Sequence, residues 1–237
     1  TLHTVLAAAD SVLTISKHNQ ATLGGLGLRA TLVRCGPDLT QLQNQPSPGG
    51  AFRALFVGRD VPKKGLETLL EAWDGLDRPE AELVLLTETQ RRAPPTNVIN
   101  PGLVPPSQVY DWMTRSHVIV LPVRRAEDGD MDGVPLVLME ALALGRPVIT
   151  CPVSGIPELI DSAVGWLVPS EDPKALRAAL RAAADDPEGR VRRGQRGQQR
   201  LIERDYHLRS QVAGVIDAWT GNGRSTSSLA DDGGPVE

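Results

Sequence analysis

From about residue 50 to residue 185 the chain alternates between short apolar runs and longer stretches whose apolar positions recur at helical spacing. The apolar runs predict strands over 52–57, 83–86, 97–100, 118–121, 148–151 and 165–168. The helical spacing predicts helices near 65–74, 106–115, 135–144, 155–161 and 173–184. Such alternation, with strands apolar throughout rather than at every second position, predicts an α/β domain: a doubly wound parallel sheet buried on both faces. Pro46-Ser47-Pro48-Gly49-Gly50 breaks the pattern and reads as a linker over 46–50. A helix is expected over 205–220, and the almost wholly polar stretch 221–237 is expected to be a disordered tail.

Composition narrows the function. The chain has 237 residues, 41% hydrophobic, with a net charge of −4. The acidic balance argues against a nucleic-acid partner, and no apolar run nears the roughly 20 residues that span a bilayer. Cys35 and Cys151 are far apart and predict neither a disulfide framework nor a zinc site, so a cytoplasmic setting is expected. Aromatic residues are only 3%, which leaves Leu, Val, Ala and Ile to build the core.

The densest chemistry lies in DGVPLVLMEALALGRPVITCPVSGIPELI, residues 132–160. Asp132 and Glu140 stand with seven residues between them, among these Gly133, which frees the turn, and Pro135, which suits the first turn of a helix. A helix start exposes unpaired N–H groups and a positive dipole end, so a diphosphate could rest on Val134, Leu136 and Val137. Glu140, one turn further in, is placed to accept hydrogen bonds from ribose hydroxyls, and Asp132 to reach a sugar hydroxyl. Upstream, the run over 52–57 ends in Gly58-Arg59, then Asp60-Val61-Pro62-Lys63-Lys64-Gly65 and the amphipathic LETLLEAW. Strand, glycine turn and helix form the βα unit at which open sheets bind anions. Arg59 and Lys64 would flank that crevice and stabilise a departing nucleoside diphosphate. Lys63 reads as a solvated neighbour.

The stretch 132–160 resembles the donor-site signature of family 4 retaining glycosyltransferases of the GT-B fold, in which an acid, seven residues and a Glu precede a small-residue helix and a proline-led strand. GWLVPSEDPKALRAAL follows where that family has its next strand, turn and helix, and Gly58-Arg59, four residues, Lys64-Gly65 matches its basic element. One position departs: the first acid is usually Glu and here is Asp132. The resemblance implies a Rossmann-like C-terminal donor-binding domain over 51–204, with 1–45 a remnant of the N-terminal acceptor domain. That remnant shows a helix, strand, helix and final strand; the family's Pro-Asn-Gly-Val-Asp step appears as Arg34-Cys35-Gly36-Pro37-Asp38. The chain would then be N-terminally truncated. A remnant with two strands must pack on the main domain or fray.

The resemblance further implies transfer of a hexose from a nucleoside diphosphate sugar to a glycan or lipid-linked acceptor, with retention, and with no metal or other cofactor. The wording of the motif looks most like exopolysaccharide and lipopolysaccharide biosynthesis enzymes. Arg59, Lys64 and Asp132 would be catalytic, and the base would meet backbone at Gly102, Leu103 and Val104. Two rival functions stay open: a non-catalytic nucleotide-sugar binding module, and a sugar-nucleotide epimerase of the same fold.

Several decoys carry weaker signals. Asp128-Gly129-Asp130-Met131-Asp132-Gly133 starts like a calcium loop, but its twelfth place falls on Met139 where a bidentate Glu is required. Gly24-Gly25-Leu26-Gly27 follows a helical segment and reads as helix termination. The arginines over 190–204 fit a solvated helix face, weakened by Gly194 and Gly197; the alternative is peripheral contact with the inner face of the plasma membrane. His18, His117 and His207 read as surface or capping residues. Glu158 opens a helix, where capping and ligand contact are both open.

Overall fold

The computed structural model describes residues 2–40, 42, 45–88 and 97–221. Chain positions 222–237, read from sequence as a disordered tail, lie outside the described residues. A small unit comes first: α1 (Leu2–Ala7), β1 (Leu13–Thr14), α2 (Lys17–Gly25) and β2 (Thr31–Leu32), with β1 and β2 paired in parallel. The larger sheet is built from β3 (Arg53–Val57), β4 (Glu82–Leu86), β5 (Val98–Ile99), β6 (Val118–Leu121), β7 (Val148–Thr150) and β8 (Gly165–Leu167). Its helices are α3 (Leu66–Asp74), α4 (Pro106–Thr114), α5 (Leu136–Ala143), α6 (Pro173–Asp185), α7 (Pro187–Glu203) and α8 (Leu208–Thr220).

All pairings in the large sheet are parallel, in the order β5-β4-β3-β6-β7-β8. The chain winds outward from β3 to β5, crosses back to β6 on the other side of β3, and winds outward again. The order therefore reverses between β3 and β6, and open sheets of this kind leave a ligand crevice there, beyond the carboxyl ends of the strands. Every residue of β6 is fully buried. Successive strand residues point to opposite faces, so both faces are covered and the apolar-throughout strands have their physical reason. The doubly wound sheet expected from the alternation is the fold.

Expected termini hold to within one or two residues in most elements; the helix expected over 155–161 does not. Only a 3₁₀ turn forms there, Ile156–Glu158. Ser154 enters it with φ 52°, and the Asp161 carboxylate, by accepting from the Ala163 amide at 2.9 Å, turns the chain away at its end.

The small unit is held by the rest of the chain. Glu158 accepts from the amides of Lys17 and His18, both at 2.9 Å, while Ser16 Oγ accepts from Asn19 at 3.1 Å. Three of the otherwise unpaired N–H groups of α2 are thus satisfied. Glu158 is a cap, but of a helix some 140 residues away in sequence. The Gly24–Gly27 run ends α2 as expected: Leu28 donates to Leu23 O across Gly27, whose φ is 76°. On the other side, a Cβ on Gly36 would overlap the Tyr206 backbone, and α8 lies against Val33 through Gly214.

Two expectations about polar residues are corrected. Over 190–204 the arginines do not form a simple solvated face, since Arg190 and Arg200 are buried. Gly194 and Gly197 are the reason: a Cβ on Gly194 would overlap Gly145 O, and one on Gly197 would press on Leu142, so the glycines let α7 close onto α5 and draw the arginines in. Arg200 meets Asp161 at 2.7 Å, and Arg193 stacks over Trp166 at 4.4 Å.

His117 is the second correction, being 4% exposed rather than a surface residue. Its Nδ1 accepts from the Arg53 amide at 3.0 Å. Burial, reinforced by Arg190 and more weakly by Arg53 and Arg146, lowers its pKa from 6.5 to about 4, against a smaller upward pull from the Pro48 carbonyl. Between those values the unfolded chain takes up a proton that the folded chain refuses. Stability from this residue is therefore complete above pH 6.5 and is lost as pH falls toward 4, by about 3 kcal/mol. Replacing His117 with Asn keeps an acceptor for Arg53 and removes the titration. Urea unfolding should show the wild type losing that much more stability than His117→Asn between pH 7 and pH 4; equal losses would contradict it.

Candidate functional site

The crevice is built on two turns that leave β3 and β6. After β3 the chain runs through Gly58 and a 3₁₀ turn, Pro62–Lys64, to Gly65, which takes the left-handed conformation at φ 68°. A Cβ on Gly65 would overlap Pro122 O, so only glycine lets the two turns cross. They are also stitched together: Arg124 donates from its amide to Lys63 O at 3.0 Å and from Nε to Pro62 O at 2.9 Å. This stitching fixes the stems from which Lys63 and Lys64 project. The Lys64 stem lies across Gly58, whose missing Cβ would stand 3.7 Å from its Cγ and Cδ.

Lys64 Nζ meets Asp132 Oδ2 at 2.8 Å, and both side chains are largely buried. Lys63, expected as a solvated bystander, is corrected: its Nζ reaches Asp130 at 2.9 Å and Asp132 at 3.6 Å, with a side chain only 15% exposed. The reason is the 3₁₀ turn, whose tight winding turns both consecutive lysines toward the acid loop. The Asp130 contact raises the Lys63 pKa and holds Asp130 below its ordinary range. Arg59 is exposed at the mouth, near enough for its charge to help lower Asp130. Among the described residues no group of three or more His, Cys, Asp or Glu is arranged to hold a metal ion.

From Asp132 the loop passes Gly133, which faces Ile15 of the small unit, and Val134, which is buried. Pro135 is the N-cap of α5, one place before the helical position its ring suggested. The amides of Leu136 and Val137 open the helix, where no intrahelical acceptor exists. Glu140 sits one turn deeper and is partly buried, and Tyr110 of α4 donates to its Oε1 at 3.1 Å. Burial raises the Glu140 pKa while the Tyr110 hydroxyl pulls it back; burial and then the Glu140 charge raise that of Tyr110. Nothing in the sequence singles out Tyr110, which looks like one more position of an amphipathic helix.

Lys64 and Asp132 are thus brought together, with Lys63 and Asp130 beside them, just before the start of α5, and Glu140 lies one turn further along that helix. Gly102, Leu103 and Val104 follow β5, which lies two strands from β3 in the sheet. Gly102 has φ 81° and donates its amide to Asn100 Oδ1 at 3.0 Å, Leu103 is exposed, and Val104 packs on the core. The loop then enters α4, which ties it to Glu140 through Tyr110.

Residues 39–200 match the family model described as glycosyl transferases group 1. The chain belongs to that family. This corrects the family 4 assignment drawn from the motif: the family matched over most of the chain is group 1. The chain is 33% identical over 192 residues to the putative colanic acid biosynthesis glycosyltransferase WcaL of Salmonella typhimurium, covering 72% of this chain and 47% of that protein. It is 31% identical over 194 residues to the amylovoran biosynthesis glycosyltransferase AmsK of Erwinia amylovora, covering 74% and 48%. The chain therefore spans about half the length of these curated relatives. Among solved structures, sucrose-phosphate synthase from Thermosynechococcus elongatus superposes with a TM-score of 0.79 at 23% identity, over 93% of this chain and 60% of that one. The Anabaena protein HepE in complex with UDP and glucose gives 0.78 at 15% identity, over 91% and 64%. These two share the fold. Among the described residues no helix of this group 1 chain is long and apolar enough to cross a membrane.

Proposed function

We propose that this chain is the donor-binding part of a glycosyltransferase, holding a nucleoside diphosphate sugar in the β3/β6 crevice. In the whole protein the hexose would pass to a glycan or lipid-linked acceptor with retention of configuration and without a metal. The observation that carries this reading is the placing of Lys64 and Asp132 on one side of the α5 start and of Glu140, oriented by Tyr110, one turn behind it. Family membership supports the chemistry, and the printed roles of WcaL and AmsK in colanic acid and amylovoran biosynthesis support a polysaccharide acceptor. The neighbour bound to UDP makes a uridine nucleotide the first donor to test.

The diphosphate lies against the amides of Leu136 and Val137, with Lys64 and Arg59 supplying positive charge. As the glycosidic bond to the diphosphate breaks, negative charge grows on the leaving oxygen, and fixed cations and helix-start amides stabilise that state more than the ground state. Lys64 is paired with Asp132 before donor arrives, so binding exchanges partners: the diphosphate takes the ammonium, and Asp132 is freed to accept a hydroxyl of the sugar. Lys63 keeps Asp130 in place during the exchange. Glu140 accepts from the ribose hydroxyls, and the base extends toward Gly102, Leu103 and Val104.

Replacing Glu140 with Ala removes the charge-assisted bonds and should weaken nucleoside diphosphate binding by about 1–3 kcal/mol. Tyr110→Phe should weaken it less, because the carboxylate remains. Calorimetric titration compares the three proteins; an unchanged dissociation constant for Glu140→Ala would remove the ribose assignment.

A further inference from the structure

At the end of the sheet opposite the donor crevice, where β6 and β7 begin, lies a cavity of about 80 Å³ lined by Gln45, Ser47, His117, Arg146, Arg190 and Gln195, among others. Three of these are basic residues almost withdrawn from solvent, with exposures of 4% for His117, 2% for Arg146 and 7% for Arg190. Arg146 directs its guanidinium at carbonyls: Nε to Met113 O at 3.2 Å, Nη1 to Gln45 O at 3.1 Å, and Nη2 to Pro46 O at 2.7 Å and Thr114 O at 2.9 Å. Arg190 gives Nη1 to the carbonyls of Ala183 and Ala184 and lies over the Phe52 ring at 5.6 Å. Its Nε is buried without a hydrogen-bond partner among the described residues, and no hydrogen bond from Nη2 is formed among them.

Neither arginine has a carboxylate in ion-pair contact among the described residues. Asp186 acts on Arg190 only at a distance, and its own oxygens are taken by the Gly189 amide and by Arg192 and Arg193. Arg53, the other nearby cation, is already paired with Glu82 at 2.8 Å. Burying two guanidinium groups without a counter-charge is unfavourable, and the Arg190 charge adds to burial, the larger cause, in depressing the His117 pKa. The Nε–Nη2 edge of a guanidinium is the one that grips two oxygens of an oxyanion at once.

We propose that this cavity binds a small tetrahedral oxyanion of the phosphate class, held bidentately by Arg190 with Arg146 completing the charge. Gln45 and Pro46 are carried on Arg146 and Ser47 lines the same cavity, so an occupied site would also brace the segment that joins the two sheets. The site is independent of the donor reading, being built on the opposite ends of the strands.

Scanning calorimetry of the full chain in rising phosphate, at fixed pH and with ionic strength balanced by chloride, should give a saturable rise in Tm. The rise should persist in Lys64→Ala, and in Arg190→Gln the apparent dissociation constant should be weaker by about tenfold or more. A rise shared equally by Arg190→Gln, or abolished by Lys64→Ala, would overturn the assignment, the latter by placing the anion in the donor crevice. A second measurement needs no variant. Sulfate, dianionic across the titration, should move the His117 ring pKa upward from about 4 in an NMR titration, while chloride at equal ionic strength should not; an unmoved His117 would equally overturn it.

Discussion

Lys64→Ala is expected to weaken nucleoside diphosphate binding by about 3 kcal/mol, on the order of a hundredfold in Kd. Two effects add. The diphosphate loses its best-placed cation, and Asp132, now without the partner at 2.8 Å, presents a partly buried negative charge to the incoming phosphates. Lys63, shared between Asp130 at 2.9 Å and Asp132 at 3.6 Å, should compensate only in part. Asp132→Ala separates the two effects. It frees Lys64, so affinity for the bare nucleoside diphosphate should hold or rise, while affinity for the sugar nucleotide should fall relative to it. Calorimetric titration with both ligands reads the difference; parallel changes in the two would contradict the partner exchange.

Gly65→Ala is expected to cost about 3–5 kcal/mol of stability, more than any other single methyl added in the crevice. The residue sits at φ 68°, where an L side chain is strained, and its Cβ would overlap Pro122 O. Neither neighbour can retreat cheaply, since the 62–65 turn and the 122–124 segment are bonded to each other through Arg124. Part of the overlap can be relieved only by moving the turn that carries Lys63 and Lys64. The variant should therefore lose nucleotide affinity even at temperatures where it stays folded. Urea unfolding and titration at low temperature check the two halves; wild-type values in both would show that the crossing is not tight.

The strands were legible because a sheet covered on both faces demands unbroken apolar runs, and the β6 run VIVL could hardly read otherwise. The turns beside the crevice were legible in part for a similar reason: Gly65 and Pro135 answer local backbone requirements, and local requirements leave local marks. What could not be read were partners brought together by the fold. Tyr110 reaches Glu140 from another helix, and Glu158 caps α2 from across the chain. Helical periodicity reports which face of α4 is apolar, not what its one hydroxyl meets. The glycines of α7 show the same gap from the opposite direction. Gly194 and Gly197 look like weak points in an exposed helix, yet their lack of a side chain is what lets α7 approach α5 and bury Arg190 and Arg200.

The most direct test of the donor site is calorimetric titration of this chain with UDP, GDP and ADP in the presence of chelator, repeated for Lys64→Ala and Glu140→Ala. The structure predicts micromolar binding of one nucleotide without added metal, weakened strongly by either substitution. Failure of all three nucleotides to bind, or binding that survives both substitutions unchanged, would contradict a donor site at the β3/β6 crevice.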